Sequence, residues 1–205
     1  MYMSLMSVLN QVASWSYFEY MDYTLSNFIH PKLARNATAC SHAIIATVLA
    51  GGCLLIDDSR FDDLYNILKL FSTGYFLYDI NYIIRHDKLT LTRWAWLYHH
   101  VVTIGYLHQN PRVYLPHHVM FWGELSNIPS YFVYYYLQKK MTGTTQFKVW
   151  SMIQKILYGG IRLPILGRLT YNTITTVSDR RPIYTVLPVY LMGLFWTINL
   201  LNQRH

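Results

Sequence analysis

Residues 37–56, ATACSHAIIATVLAGGCLLI, run for 20 positions without one Asp, Glu, Lys or Arg. A hydrocarbon core about 30 Å thick takes roughly 20 mostly apolar residues per helix, so this stretch reads as a membrane span. Five further stretches of similar character follow it: Leu64 to Ile84, Trp94 to Gln109, Tyr114 to Leu137, Phe147 to Leu169 and Pro182 to Leu201. The segments between them, 57–63, 85–93, 110–113, 138–146 and 170–181, suit short turns. About six spans of about 20 residues use most of a 205-residue chain and leave little for a soluble domain. The expected class is an all-α membrane protein of about six transmembrane helices, with residues 31–205 as one domain.

Composition points the same way. Hydrophobic residues make up 53%, aromatic ones 17% and charged ones 13%, about half the roughly 25% charge of ordinary soluble domains. The mean hydropathy of +0.15 understates the apolar runs. The 19 tyrosines count as polar in that average, yet they suit bilayer interfaces and bundle interiors. A net charge of +7 could suit nucleic acid, but the 17 Lys and Arg fall mostly in short segments between apolar runs. That is a topology signal, and no nucleic-acid partner is expected. Cys40 and Cys53 lie in one apolar stretch, where small buried thiols are commoner than a disulfide framework. Glu19 and Asp22 interrupt the aromatic N-terminal segment, so residues 1–30 read as a retained interfacial helix and not as a signal peptide.

The six-span alternation sorts the basic residues. One side collects Lys32, Arg35, Arg85, Lys88, Arg93, Lys139, Lys140, Lys148 and Arg204; the other has Arg60, Arg112, Arg180 and Arg181. The richer side is expected in the cytosol, together with the C-terminus. The Asn36-Ala37-Thr38 sequon then faces away from the glycosylating compartment and is read as a chance match.

Ionisable side chains inside spans are costly and are functional hypotheses by default. Here they are His42, Asp79, His99, His100, His108, His117, His118, Glu124 and Arg162. Helical spacing gathers several onto stripes. Ser72, Tyr75, Asp79 and Tyr82 step by three and four; His117, Glu124, Asn127 and Tyr131 by seven, three and four; and Trp196, Asn199 and Gln203 by three and four. His99 and His100 flank Thr103 one turn on. One polar stripe per span is the pattern of helices around a polar-lined interior. A lone intramembrane histidine is ordinarily a hydrogen-bonded packing residue, the residue-level reading of His42, His108, His117 and His118. Pro129 and Pro164 read as helix kinks. No two histidines stand three or four apart on one helix, so the chain lacks the helical metal motif, and it has no nucleophile elbow, phosphate loop or dinucleotide fingerprint. No metal and no cofactor is expected.

Taken in order, these pieces resemble the TLC-domain family of membrane proteins, which includes the ceramide synthases. The resemblance spans roughly Pro31 to Asn202. It rests on Ser41-His42, Gly74-Tyr75-Phe76-Leu77-Tyr78-Asp79, Tyr98-His99-His100, Gly123-Glu124-Leu125-Ser126-Asn127, Arg162, and Trp196 with Asn199. It implies membrane helices surrounding a tunnel for a long acyl chain, with the paired histidines inside. In the ceramide synthases that pair serves transfer of an acyl group from acyl-CoA to the amine of a sphingoid base. Carried over, His99 and His100 are the acyl-transfer pair and Asp79 orients one imidazole. His42, Glu124, Asn127, Arg162, Trp196 and Asn199 line or support the tunnel. Imidazole titrates near neutrality, so it can take a proton from an amine or carry an acyl group transiently.

Past its histidine pair the ceramide-synthase signature has a His-Asp and a further Asp, where this chain has Gly123-Glu124-Leu125-Ser126-Asn127. That is more similar to the smaller TLC-domain proteins, some of them linked to membrane-lipid composition. The resemblance therefore implies a multi-pass endoplasmic-reticulum or other endomembrane protein that binds a fatty-acyl lipid and influences lipid composition, with His-dependent acyl transfer from acyl-CoA as its chemistry. Membrane lipids are its expected partners. The alternative classes are a non-enzymatic lipid sensor or transporter, in which Asp79, Glu124 and Arg162 only gate or line the path, and a structural protein whose polar residues join helices.

Overall fold

The structure is a computed structural model that describes residues 5–176, 178–179 and 181–202. It is all-helical, with no strand among the described residues. The helices are α1 (Leu5–Ser26), α2 (Pro31–Leu55), α3 (Asp58–His86), α4 (Leu91–Leu107), α5 (Pro111–Tyr114), α6 (Pro116–Gln138), α7 (Thr145–Lys155), α8 (Leu163–Thr176) and α9 (Arg181–Asn202). A π-helical turn, Ile156–Arg162, joins α7 to α8 without a break.

Local chemistry sets the boundaries. Pro31 and Pro116 stand at the first turns of α2 and α6, where a missing N–H costs nothing. Thr90 and Thr144 cap α4 and α7 by accepting from the backbone N–H groups of Arg93 and Phe147 at 3.4 and 3.3 Å. Leu115, with φ 50°, turns the chain sharply between α5 and α6. In the π turn the Leu163 N–H reaches back to Tyr158 O, five residues away. One extra residue is thus fitted into an otherwise regular helix, directly before Pro164.

The most extensive helix contact is α2 on α6, followed by α1 on α3. Small residues explain the first. Ala39, Ala43, Ala46, Ala50 and Cys53 step by four and three along α2 and are all buried, so the two backbones approach closely. A Cβ on Gly51 would stand 3.1 Å from the Phe121 ring of α6. Gly74 does the same for α1 and α3: its added Cβ would collide with Ser14 Oγ and stand 2.8 Å from the Ser14 carbonyl carbon. Ser14 donates to Phe71 O, Phe18 packs on Tyr75 and Tyr78, and Asn81 donates to Glu19. The partners ascend together on both helices, so α1 runs along α3 in the same direction and is packed into the bundle, with Phe18 fully buried, and does not lie across the helices as the expected interfacial helix would. Phe18, Tyr65, Leu68, Tyr75, Phe76, Tyr78, Leu107 and Met120 form the apolar centre.

Polar contacts mark two ends of the bundle. At one, Arg35, Asp87 and Arg93 join the start of α2 to the α3–α4 turn. At the other, Arg112 pairs with Asp58 at 2.7 Å and Tyr65 donates to Leu107 O at 2.6 Å.

The five stretches 64–84, 94–109, 114–137, 147–169 and 182–201 each fall mainly on helix, the fourth of them divided by the π turn. Among the described residues, Pro31–Leu55 is the helix both long and apolar enough to cross a membrane, with a mean hydropathy of 1.7 over its most apolar stretch; Val186–Asn202 is apolar but shorter. Helix α3 has the length, but Asp58, Arg60, Asp62, Asp63, Lys69, Asp79 and Arg85 depress its hydropathy. The outward faces are nevertheless apolar. Val48, Ile67, Val101, Met152 and Phe195, on five different helices, are each more than half exposed. Gln203, Arg204 and His205, and the expected cytosolic C-terminus with them, lie outside the described residues, as does Arg180.

Candidate functional site

Asp79 is at the centre of the polar interior. The three-and-four stepping of α3 brings Ser72, Tyr75 and Asp79 onto one buried line. Asp79 Oδ2 accepts from His100 Nε2 of α4 at 2.8 Å. Its Oδ1 accepts from Arg35 Nε and Nη2 of α2 at 3.0 and 2.9 Å. The Arg35 guanidinium also donates Nη1 to Asp87 Oδ2 at 3.1 Å and lies 4.4 Å above the Tyr82 ring. Both carboxylate oxygens of a side chain that is 4% exposed are therefore satisfied by cations or a ring N–H.

The carboxylate can only accept, so His100 Nε2 carries the hydrogen, and the neutral ring then presents a lone pair at Nδ1. That Nδ1 is buried and has no hydrogen-bond partner among the described residues. His99 Nδ1 is likewise buried without a partner. The two imidazoles lie 5.5 Å apart, and Trp96 and Trp196, stacked at 5.0 Å, close over them.

A second network faces the first from α6. Asn127 donates Nδ2 to Glu124 Oε2 at 3.2 Å and accepts at Oδ1 from Arg162 Nη1 and Tyr158 OH, each at 2.9 Å. Arg162 Nη1 also donates to Ser126 Oγ at 3.3 Å, and the guanidinium lies 4.5 Å over the Tyr158 ring. Tyr158 and Arg162 come from the π turn, whose extra residue sets where both point.

Asp79, His99, His100, Glu124 and Asn127 line one cavity of about 250 Å³, with Lys32, Arg35 and Arg93 at its basic end. His99, Phe76, Glu124 and Asn127 also line a narrower apolar cavity of about 70 Å³. Arg162, Tyr106, Leu166 and Val189 link that in turn to a groove of about 60 Å³ between α8 and α9. A basic, polar mouth thus leads past His99 to an apolar interior.

Not every expected residue lies here. His42 is fully buried, donates to or accepts from Ser72 Oγ at 3.2 Å and stacks on Tyr75 at 3.9 Å. It lines none of these cavities, which is the packing role read from the residues and not the tunnel-lining one implied by the resemblance. Asn199 is exposed on α9 and lines none of them either, because its stripe turns outward past Trp196. Trp196 reaches the site through Trp96 and His99. His117 packs edge-on against Phe61 at the opposite end of the bundle.

Two participants escaped the sequence reading. Arg35 entered it only as a flanking charge, although an arginine four residues before the apolar Ala39–Cys53 stripe and on its buried side could have been read as facing the interior. Tyr158 lies in a segment whose helical register is broken by the π turn, so its face could not be assigned by spacing. No protein-family model matches the chain, and neither a curated protein nor a solved structure shows similarity to it.

Proposed function

We propose that this is a multi-pass endomembrane protein of the TLC type that holds a fatty-acyl lipid inside its helix bundle and alters membrane lipid composition by acyl transfer at His99 and His100. In this reading α2, α3, α4, α6, the α7–α8 rod and α9 are the six expected spans, α1 accompanies α3 through the same layer, and the outward Val48, Ile67, Val101, Met152 and Phe195 meet lipid. An exposed apolar shell around an interior rich in Asp, His, Glu and Arg reverses the arrangement expected in water.

The observation that carries the reading is the chain Arg35–Asp79–His100 facing a cavity that continues into apolar space beside His99. Asp79 orients His100 and stabilises the imidazolium that forms when the ring takes a proton. With an acyl thioester as donor and an amine as acceptor, the amine nitrogen forms the new C–N bond and the C–S bond breaks. The proton lost by the amine passes through the imidazole to the departing sulfur, giving an amide and a thiol. Lys32, Arg35 and Arg93 at the mouth suit the anionic part of a donor such as acyl-CoA. The inner cavities are narrow, so a long chain occupying them has to spread α8 from α9.

The test is acyl transfer in purified membranes, with acyl-CoA and a panel of amine and hydroxyl acceptors. Transfer by the wild-type chain that the His99→Ala/His100→Ala variant loses supports the reading. Transfer surviving in the double variant removes the histidines from the chemistry. No transfer to any acceptor favours a lipid sensor or transporter.

A further inference from the structure

Arg162 is 8% exposed, and among the described residues no carboxylate forms an ion pair with it. Its polar contacts all use one nitrogen: Nη1 donates to Asn127 Oδ1 and Ser126 Oγ. Nε and Nη2 donate to no group among the described residues, and the side chain lines both inner cavities. Those two N–H groups lie on the same edge of the guanidinium and form the fork that takes a carboxylate bidentately. Arg35 uses that same pair of nitrogens on Asp79. Glu124, the acid in the same cavity, accepts from the opposite side of the Asn127 amide. A buried guanidinium with its fork open toward apolar walls is costly without an anion, and those walls, Leu163, Leu166, Leu169, Val186 and Val189, suit hydrocarbon.

We propose that Arg162 anchors the carboxylate of a free fatty acid, whose chain lies in the groove between α8 and α9. This rests on the reading that the inner cavities hold a lipid chain, and it adds that the chain is recognised there as the acid and not only as an ester or thioester. The carboxylate is bound beside His99, so the same site serves as the resting place of a hydrolysed acyl group or as the entry point of an unactivated one.

The test measures binding of radiolabelled palmitic acid and of methyl palmitate, at pH 8, to the full chain in nanodiscs, with empty nanodiscs subtracted. The wild-type protein is expected to hold the acid about tenfold or more tightly than the ester, the discrimination of one charged, bidentate contact. Arg162→Gln is expected to bring the acid down to the level of the ester, and Arg162→Lys to retain part of the difference. The wild-type comparison changes only the ligand, so it stands even if a variant fails to fold. Equal binding of acid and ester by the wild-type protein, or a preference that survives in Arg162→Gln, overturns the anchor and leaves chain binding intact. Binding of neither overturns the chain-binding reading and the anchor with it.

Discussion

Arg35 grips Asp79 through two N–H groups aimed at one carboxylate oxygen, at 2.9 and 3.0 Å, and so leaves the other oxygen to His100 alone. The arginine thereby divides the carboxylate between a guanidinium on one oxygen and an imidazole on the other. Three helices meet at this point, because Arg35 comes from α2, Asp79 from α3 and His100 from α4.

Removing one partner leaves the other charge buried and unpaired, which typically costs about 3–5 kcal/mol. Arg35→Met and Asp79→Asn are each expected to destabilise the bundle on that scale. The double variant should cost clearly less than the sum, since it removes both charges together. Thermal unfolding of the four proteins in one detergent checks this; additive losses would mean that the two residues do not act as a pair.

The two histidines should separate in the same experiments. His100→Ala takes a hydrogen bond from Asp79, so it is expected to lower stability as well as transfer. His99 Nδ1 has no hydrogen-bond partner, so His99→Ala is expected to leave unfolding nearly unchanged. Each should reduce acyl transfer by about 10²- to 10⁴-fold, the usual loss for a positioned acid or base. Unfolding curves beside initial rates distinguish the pair.

The helices were legible because apolar runs, turn residues and three-and-four stepping agree along α2, α3, α4 and α6. The stripe through Ser72, Tyr75 and Asp79 was legible for the same reason, and so was its convergence with His99, His100, Glu124 and Asn127. Arg35 was not, since its bond to Asp79 joins positions 44 residues apart and depends on how closely the alanine stripe lets the helices pack. Nor was the π turn, because one inserted residue shifts the register without leaving a composition signal. Asn199 shows the converse error: its spacing from Trp196 is helical, but spacing alone does not say where a stripe leaves the interior.

Gly74 tests the contact between α1 and α3. An added methyl would need the Ser14 backbone to move, so Gly74→Ala is expected to cost about 1–3 kcal/mol. Gly105 has no other atom within 4 Å of an added Cβ and lies inside α4, so Gly105→Ala is expected to be neutral or to gain up to about 1 kcal/mol of helix propensity. Paired unfolding measurements read the difference.

Side-selective labelling examines the spans. In a chain freed of Cys40 and Cys53, a cysteine replacing Thr142 in the exposed α6–α7 turn is expected to react from the cytosolic side. One replacing Arg60, near the α2–α3 turn, is expected to react only from the lumen. Both reacting from one side would break the six-span topology.

The π turn offers the sharpest test of how the second polar network is placed. α7 is held on α6 by the Gln154 to Ser130 hydrogen bond at 3.0 Å and by the Trp150 ring stacked on Phe132 at 4.2 Å. Arg162 follows the nearer anchor, Gln154, by about two turns, so its direction depends on how many residues lie between. Deleting Gly160 removes the inserted residue and lets the segment wind as α-helix, which turns the chain about as far as the longer π turn does, so Arg162 keeps its direction relative to α7. The preference for palmitic acid over its methyl ester is then expected to survive. Deleting Gly159 as well leaves one residue too few and swings Arg162 by about 100° around the helix. The guanidinium then leaves Asn127, and the preference is expected to vanish as it does in Arg162→Gln. Gly160→Ala adds a methyl to open space and keeps the residue count, so it should preserve the preference. A double-deletion variant that folds and still prefers the acid would show that something other than the winding of this turn aims Arg162 into the cavity.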